Sequence, residues 1–189
     1  MYQHILLAVA LQQWDEFSSH AVAAREAAVA LARGSGAKLV VLSVYDYGPL
    51  EAPGLPLEMA SRGGAEVMRQ LDEARKRREA HIRQLDAQMA TKMKAFLAGV
   101  PTDETAITPL LKVGNPRQLI VATAETLGVD LLVIGAHSKR SFLDVLLGGT
   151  ATAVSRHAPC AVVMVQPGEK RPLVQTGEVG QTLQAPIPG

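Results

Sequence analysis

The run Ala106-Ile107-Thr108-Pro109-Leu110-Leu111-Lys112-Val113 reads as a β-strand that carries a proline. Proline has no N–H to give to a ladder, so this strand belongs at the edge of a sheet. Four other apolar runs read as strands: Ile5–Ala10, Lys38–Tyr45, Asp130–Gly135 and Cys160–Val165. Each is short, continuous and bounded by polar or turn residues, as in strands buried on both faces of a parallel sheet. Helical stretches separate them, at about 15–33, 62–98 and 116–127, with a last one ending near His157. The alternation predicts an α/β fold, a doubly wound five-stranded parallel sheet with helices on both faces. Right-handed crossovers leave few ways to wind it, and Pro109 at an edge favours the order 3-2-1-4-5. The winding then reverses between strands one and four. Ala8–Ala10 and Gly135–Ser138 should face one crevice there, beyond the strands' carboxyl ends, where open α/β sheets bind ligands.

The helical stretches carry their own punctuation. Asp15 or Ser18 is placed to cap the first, with Gly34 and Gly36 stopping it. The stretch 62–98 has two unlike halves. Ile82, Leu85, Met89, Met93, Phe96 and Leu97 form an apolar stripe suited to a sheet. Residues 72–78 are nearly all charged, which predicts a kink or a projection into solvent. A loop over 46–61 precedes it, with Pro49, Pro53, Pro56, Gly48 and Gly54. Residues 1–166 thus form one domain with an enlarged loop-and-helix insertion at 46–98, and the polar stretch 167–189 reads as a flexible tail.

Composition narrows the function. In 189 residues, 48% are hydrophobic and 20% charged, which supports one substantial core. A net charge of +1 argues against nucleic acid as a partner held by overall field. The single cysteine, Cys160, excludes a disulfide framework and a Cys-rich zinc site, and suits a reducing cytoplasm. No apolar run approaches the roughly 20 residues that span a bilayer, and Met1-Tyr2-Gln3-His4 does not read as a signal peptide. The expectation is a cytoplasmic protein with no membrane partner.

The informative segment begins at Gly135-Ala136-His137-Ser138 and ends at Gly148-Gly149-Thr150. Small residues at a strand end and a helix start let backbone N–H groups approach an anion, though they also simply make turns fit. Here the chain resembles the universal stress protein family over roughly residues 1–166. Its nucleotide-binding members carry Gly, two residues, Gly, nine residues, then Gly and Ser or Thr. Gly135, Ser138, Gly148 and Gly149 occupy those places, with Thr150 one step late. Val113-Gly114-Asn115-Pro116, Gly128-Val129-Asp130 and His157-Ala158-Pro159-Cys160 are further resemblances in the same order.

The resemblance implies an adenine nucleotide (ATP, ADP or AMP, with Mg²⁺ where ATP is bound) at the ends of strands one, two and four. Its adenine would lie near Val44, Ala8 and Val9, and its phosphates on Gly135, His137, Ser138, Gly148, Gly149 and Thr150, with Ala10 and Ile134 also in the site. Three departures weaken or redirect binding: Ala10 stands where the family has a ribose-binding Asp, Ser138 replaces a glycine, and Gly149 replaces a hydroxyl residue. Asp15 is a conceivable substitute carboxylate. The alternative reading is a nucleotide-free homodimeric interaction module with a degenerate site.

Enzymatic signatures are missing. The chain has no G-x-x-x-x-G-K-[ST], no G-x-G-x-x-G after strand one and no G-x-S-x-G elbow. Histidines 4, 20, 81, 137 and 157 show no metal-ligand spacing, and His137 is the one placed on the crevice. A binder rather than an enzyme is expected, with slow ATP hydrolysis the remaining catalytic option. Trp14 and Phe17 read as packing residues. Cys160 reads as a small core residue at the start of a buried strand. The basic residues Arg75-Lys76-Arg77-Arg78 and Arg83, interleaved with Asp72, Glu73 and Glu79, read as a solvated face, and 72–83 is the candidate surface for a protein partner. Strand 160–165, apolar at a sheet edge, predicts a homodimer.

Overall fold

The computed structural model describes residues 1–12, 16–48, 64–101, 105–135 and 149–167. Its elements run β1 (His4–Val9), α1 (Ser19–Ser35), β2 (Lys38–Tyr45), α2 (Gly64–Leu97), β3 (Ile107–Val113), α3 (Pro116–Thr126), β4 (Leu131–Gly135), α4 (Gly149–His157) and β5 (Ala161–Val165). The five strands form one parallel sheet in the order β3-β2-β1-β4-β5. Pro109, on the edge strand β3, pairs with Val41 of β2, and its missing N–H leaves no neighbour unsatisfied.

Alternation along the strands divides the core into two layers. Ile5, Leu7 and Val9 face one way with Leu39, Val41, Leu131 and Val133, covered by α1 and the end of α2. Leu6, Ala8, Leu42, Val44, Leu132 and Ile134 face the other, covered by α3 and α4 through Ile120, Ala124, Ala151 and Val154. The helix layer on α1 is unusually small in side chain. Ala21, Ala24, Ala28 and Ala32 recur at helical spacing, are buried, and let the backbone lie close on the sheet.

Several boundaries differ from the sequence reading. Helix α1 begins at Ser19, not near Asp15, because Ser18 is the cap and its Oγ accepts from Ala21 N at 3.2 Å. Gly34 lies inside the helix, and Gly36, with φ +69°, ends it in the left-handed region. Trp14 and Asp15 lie outside the described residues, as do most of the 46–61 loop and residues 168–189.

Helix α2 is one run of 34 residues, about 51 Å long at 1.5 Å per residue, with no interruption at the charged segment. Its buried residues are confined to the last third, Met89, Met93 and Phe96. The earlier turns carry exposed ion pairs along the helix, Glu66–Arg69, Glu73–Arg77, Arg75–Glu79 and Glu79–Arg83. They stay helical because opposite charges recur three and four residues apart. Phe96 anchors the other end. It packs edge-on to Phe17 at 5.1 Å, lies under the Arg25 guanidinium at 5.1 Å, and its carbonyl accepts from Arg25 Nη1 at 2.5 Å.

Strand β5 is not buried as expected. Ala161 and Val163 are exposed because β5 pairs with β4 alone. Cys160 stands just before it, half-buried against the α3–α4 layer, with burial pushing its thiol up and away from the reactive thiolate.

The opposite end of the sheet is fastened by one carboxylate. Asp130 precedes β4, and its Oδ2 accepts from Gln3 N at 2.7 Å and His4 N at 2.8 Å. The bond from His4, then that from Gln3, holds its pKa below the usual carboxylate range. The carboxylate therefore stabilises the fold above the ordinary Asp pKa, and the contribution disappears as pH falls through the depressed folded value. Asp130→Ala is expected to lower stability at neutral pH and to lose that deficit in acid, measured by urea unfolding of both proteins across the acid range. Phe96→Ala should cost about 3–5 kcal/mol in the same measurement.

Candidate functional site

The carboxyl ends of β1, β2 and β4 and the amino ends of α1, α3 and α4 surround a cavity of about 320 Å³, at the small end of the range for small-molecule sites. Ala8, Val9, Ala10, Val44, Ile134, Gly135, Gly149 and Thr150, all expected on the crevice, line it together. His137, Ser138 and Gly148 lie outside the described residues.

The walls differ in chemistry. Ala8, Val44, Ile120, Ile134 and Ala151 make an apolar floor. On the β2 side the Gln12 side chain pairs with the Asp46 backbone in both directions. Its Nε2 donates to Asp46 O at 2.6 Å, and its Oε1 accepts from Asp46 N at 3.0 Å. This amide substitutes for one more rung of ladder and holds the ends of β1 and β2 together. It also fixes Asp46, the one carboxylate among the described lining residues, whose Oδ1 accepts from Gly48 N at 2.8 Å.

Tyr45, next to it, donates to Asp86 Oδ1 on α2 at 2.7 Å, and Tyr47 donates to the same oxygen at 3.1 Å. Burial foremost, then the bond to Asp86, pushes the Tyr45 phenol well above its ordinary pKa, and the same causes raise Tyr47. Both therefore remain donors, tying α2 to the cavity rim.

Two glycines have close neighbours, one a backbone that cannot yield and the other the tip of a flexible side chain. A Cβ at Gly135 would fall 2.8 Å from the backbone oxygen of His20, in the first turn of α1. A Cβ at Gly149 would fall 2.7 Å from Nη2 of Arg117, in the first turn of α3. Sequence reasoning missed His20 and placed only His137 on the crevice. His20 lines the cavity, and the signal was available: a helix after β1 in this topology starts at the crevice, and His20 follows its cap. Asp46 and Gln12 carried no such signal, since their pairing joins residues 34 apart. Among the described residues no group of three or more His, Cys, Asp or Glu side chains is arranged to hold a metal ion.

The profile of the universal stress protein family matches residues 1–166. The chain belongs to that family. A universal stress protein of Thermus aquaticus, from the QAH/OAS sulfhydrylase 3′ region, is 29% identical over 166 residues, covering 88% of this chain and 100% of that one. Universal stress protein A homolog 2 of Coxiella burnetii is 39% identical over 57 residues, covering 30% of this chain and 38% of that protein. The solved universal stress protein UspA of Lactobacillus plantarum superposes with a TM-score of 0.55 at 24% identity, over 87% of this chain and 97% of that one, and shows the shared α/β fold. No helix among the described residues is long and apolar enough to cross a membrane.

Gly135→Ala tests the close approach of α1. The obstacle is backbone, so the helix itself must shift, and urea unfolding should show a loss of about 1–3 kcal/mol.

Proposed function

We propose that this universal stress protein is a cytoplasmic regulator that binds an adenine nucleotide (ATP, ADP or AMP) in the cavity at the ends of β1, β2 and β4. The observation that carries this reading is the chemical polarity of that cavity. An apolar floor from Ala8, Val44 and Ile134 suits a base, and Gly135 at the end of β4 with Gly149 and Thr150 at the start of α4 suit phosphates. Val9 and Ala10 complete the wall. His137, Ser138 and Gly148 join the phosphate side in this proposal, by the spacing of the glycine motif. Mg²⁺ would travel with the phosphates of ATP rather than on a protein cage.

Ala10 supplies no carboxylate for a ribose, and Asp46 takes that role from the neighbouring strand end, held by Gln12. Binding, not catalysis, is the proposed activity, in keeping with a family whose members are generally regulatory. Nucleotide occupancy would act on partners through the 46–61 loop and the charged helix, which Tyr45 and Tyr47 tie to the rim through Asp86.

A homodimer through β5 is proposed with it. That strand pairs on one side only, and Val163 is 37% exposed on it. A second copy would cover the open edge. Val163→Lys should turn a dimer into a monomer in light scattering after size exclusion; a wild-type monomer would refute the interface.

The nucleotide test is mass spectrometry of small molecules released by denaturation, with calorimetric titration of ATP, ADP and AMP. Co-purified nucleotide or micromolar binding is expected. An empty protein that binds none of them leaves the interaction-module reading, which Ala10 favours. Asp46→Asn should weaken binding about ten- to a hundredfold, the worth of one charged hydrogen bond. It should also erase the wild-type preference for ribose over 2′,3′-dideoxyribose in the ligand.

A further inference from the structure

We propose that Arg117 supplies the cation for the ligand's phosphates, and that a side chain at position 149 would push its guanidinium aside. The inference rests on the nucleotide reading above and adds a residue that the glycine motif does not contain.

Local structure places the arginine. Asn115 caps α3 through its side chain, which accepts from Arg117 N at 2.9 Å, and Pro116 occupies the first turn. Side chains in a helix lean toward its amino end, so a residue in the first turn of α3 reaches back past the helix toward the crevice. The guanidinium arrives at the first residue of α4, with Nη2 2.7 Å from where a Cβ at 149 would stand.

The electrostatics of that position ask for an anion. Amino ends of helices are partly positive, and acidic side chains normally offset them. Here α3 and α4 both lack an acidic residue in the first turn. Pro116 of α3 and Gly149 and Thr150 of α4 line the same cavity. A full positive charge is added where two partial ones already converge. Among the described residues the Arg117 guanidinium makes no ion pair, and Asp46 at the end of β2 is the one carboxylate among the lining residues. A phosphate chain between the helix starts would be bound by the guanidinium and by backbone N–H groups at once.

The experiment compares adenosine with ATP on the full chain. Arg117→Gln should leave adenosine affinity unchanged and weaken ATP roughly tenfold, with a shallower salt dependence. Arg117→Lys should restore part of the loss, since it keeps the charge and loses the fork. Gly149→Ala should weaken ATP by displacing the guanidinium, and should cost much less in the Arg117→Gln background, where nothing is left to displace. Thermal unfolding of each variant checks that the fold is kept. Wild-type ATP affinity in Arg117→Gln, or equal losses for adenosine and ATP, overturns this inference and leaves the nucleotide reading intact. A native protein that binds neither ligand overturns both.

Discussion

The closeness of α1 to the sheet is the constraint on which the site depends. Four buried alanines line the face that α1 turns to β1 and β4, and His20 O comes so near Gly135 that no side chain would fit there. A bulkier stripe would lift the helix and open a gap in a core that must be close-packed. It would also withdraw the amino end of α1 from the carboxyl end of β4. Ser18 and His20 line the cavity because alanines farther along the same helix hold it down.

The crevice is a product of winding, but its chemistry comes from what each strand end happens to carry. Ala10 leaves β1 without a charged group, whereas β2 presents Asp46 and the start of α3 sets the Arg117 guanidinium beside Gly149. The crevice thus joins an apolar floor to charged groups at its rim. Gln12 serves this polarity indirectly, since the two bonds it makes with Asp46 hold the backbone that carries the carboxylate.

Helix α2 couples the site to the surface. Its last third belongs to the core through Met89, Met93 and Phe96, its earlier turns carry alternating charge, and Asp86 stands between these regions holding two tyrosines from the end of β2. Those two bonds join the rim of the cavity to a helix far longer than the core it rests on. Surface ion pairs of the kind that line α2 contribute little to global stability, so they keep it helical without pinning it to the rest of the molecule.

By itself the sequence determined that the third strand lies at an edge, because its proline cannot serve the middle of a ladder, and that edge favours the order the sheet adopts. It also determined the alternation of layers and the small residues of the crevice, through patterns that span a few neighbours along the chain. Only the tertiary structure decided that Asp46 and His20 line the cavity together and that the Arg117 guanidinium lies beside Gly149. Each of those depends on residues far apart in sequence whose side chains meet only after the helices have packed at a particular distance from the sheet. Local composition carries no record of that distance.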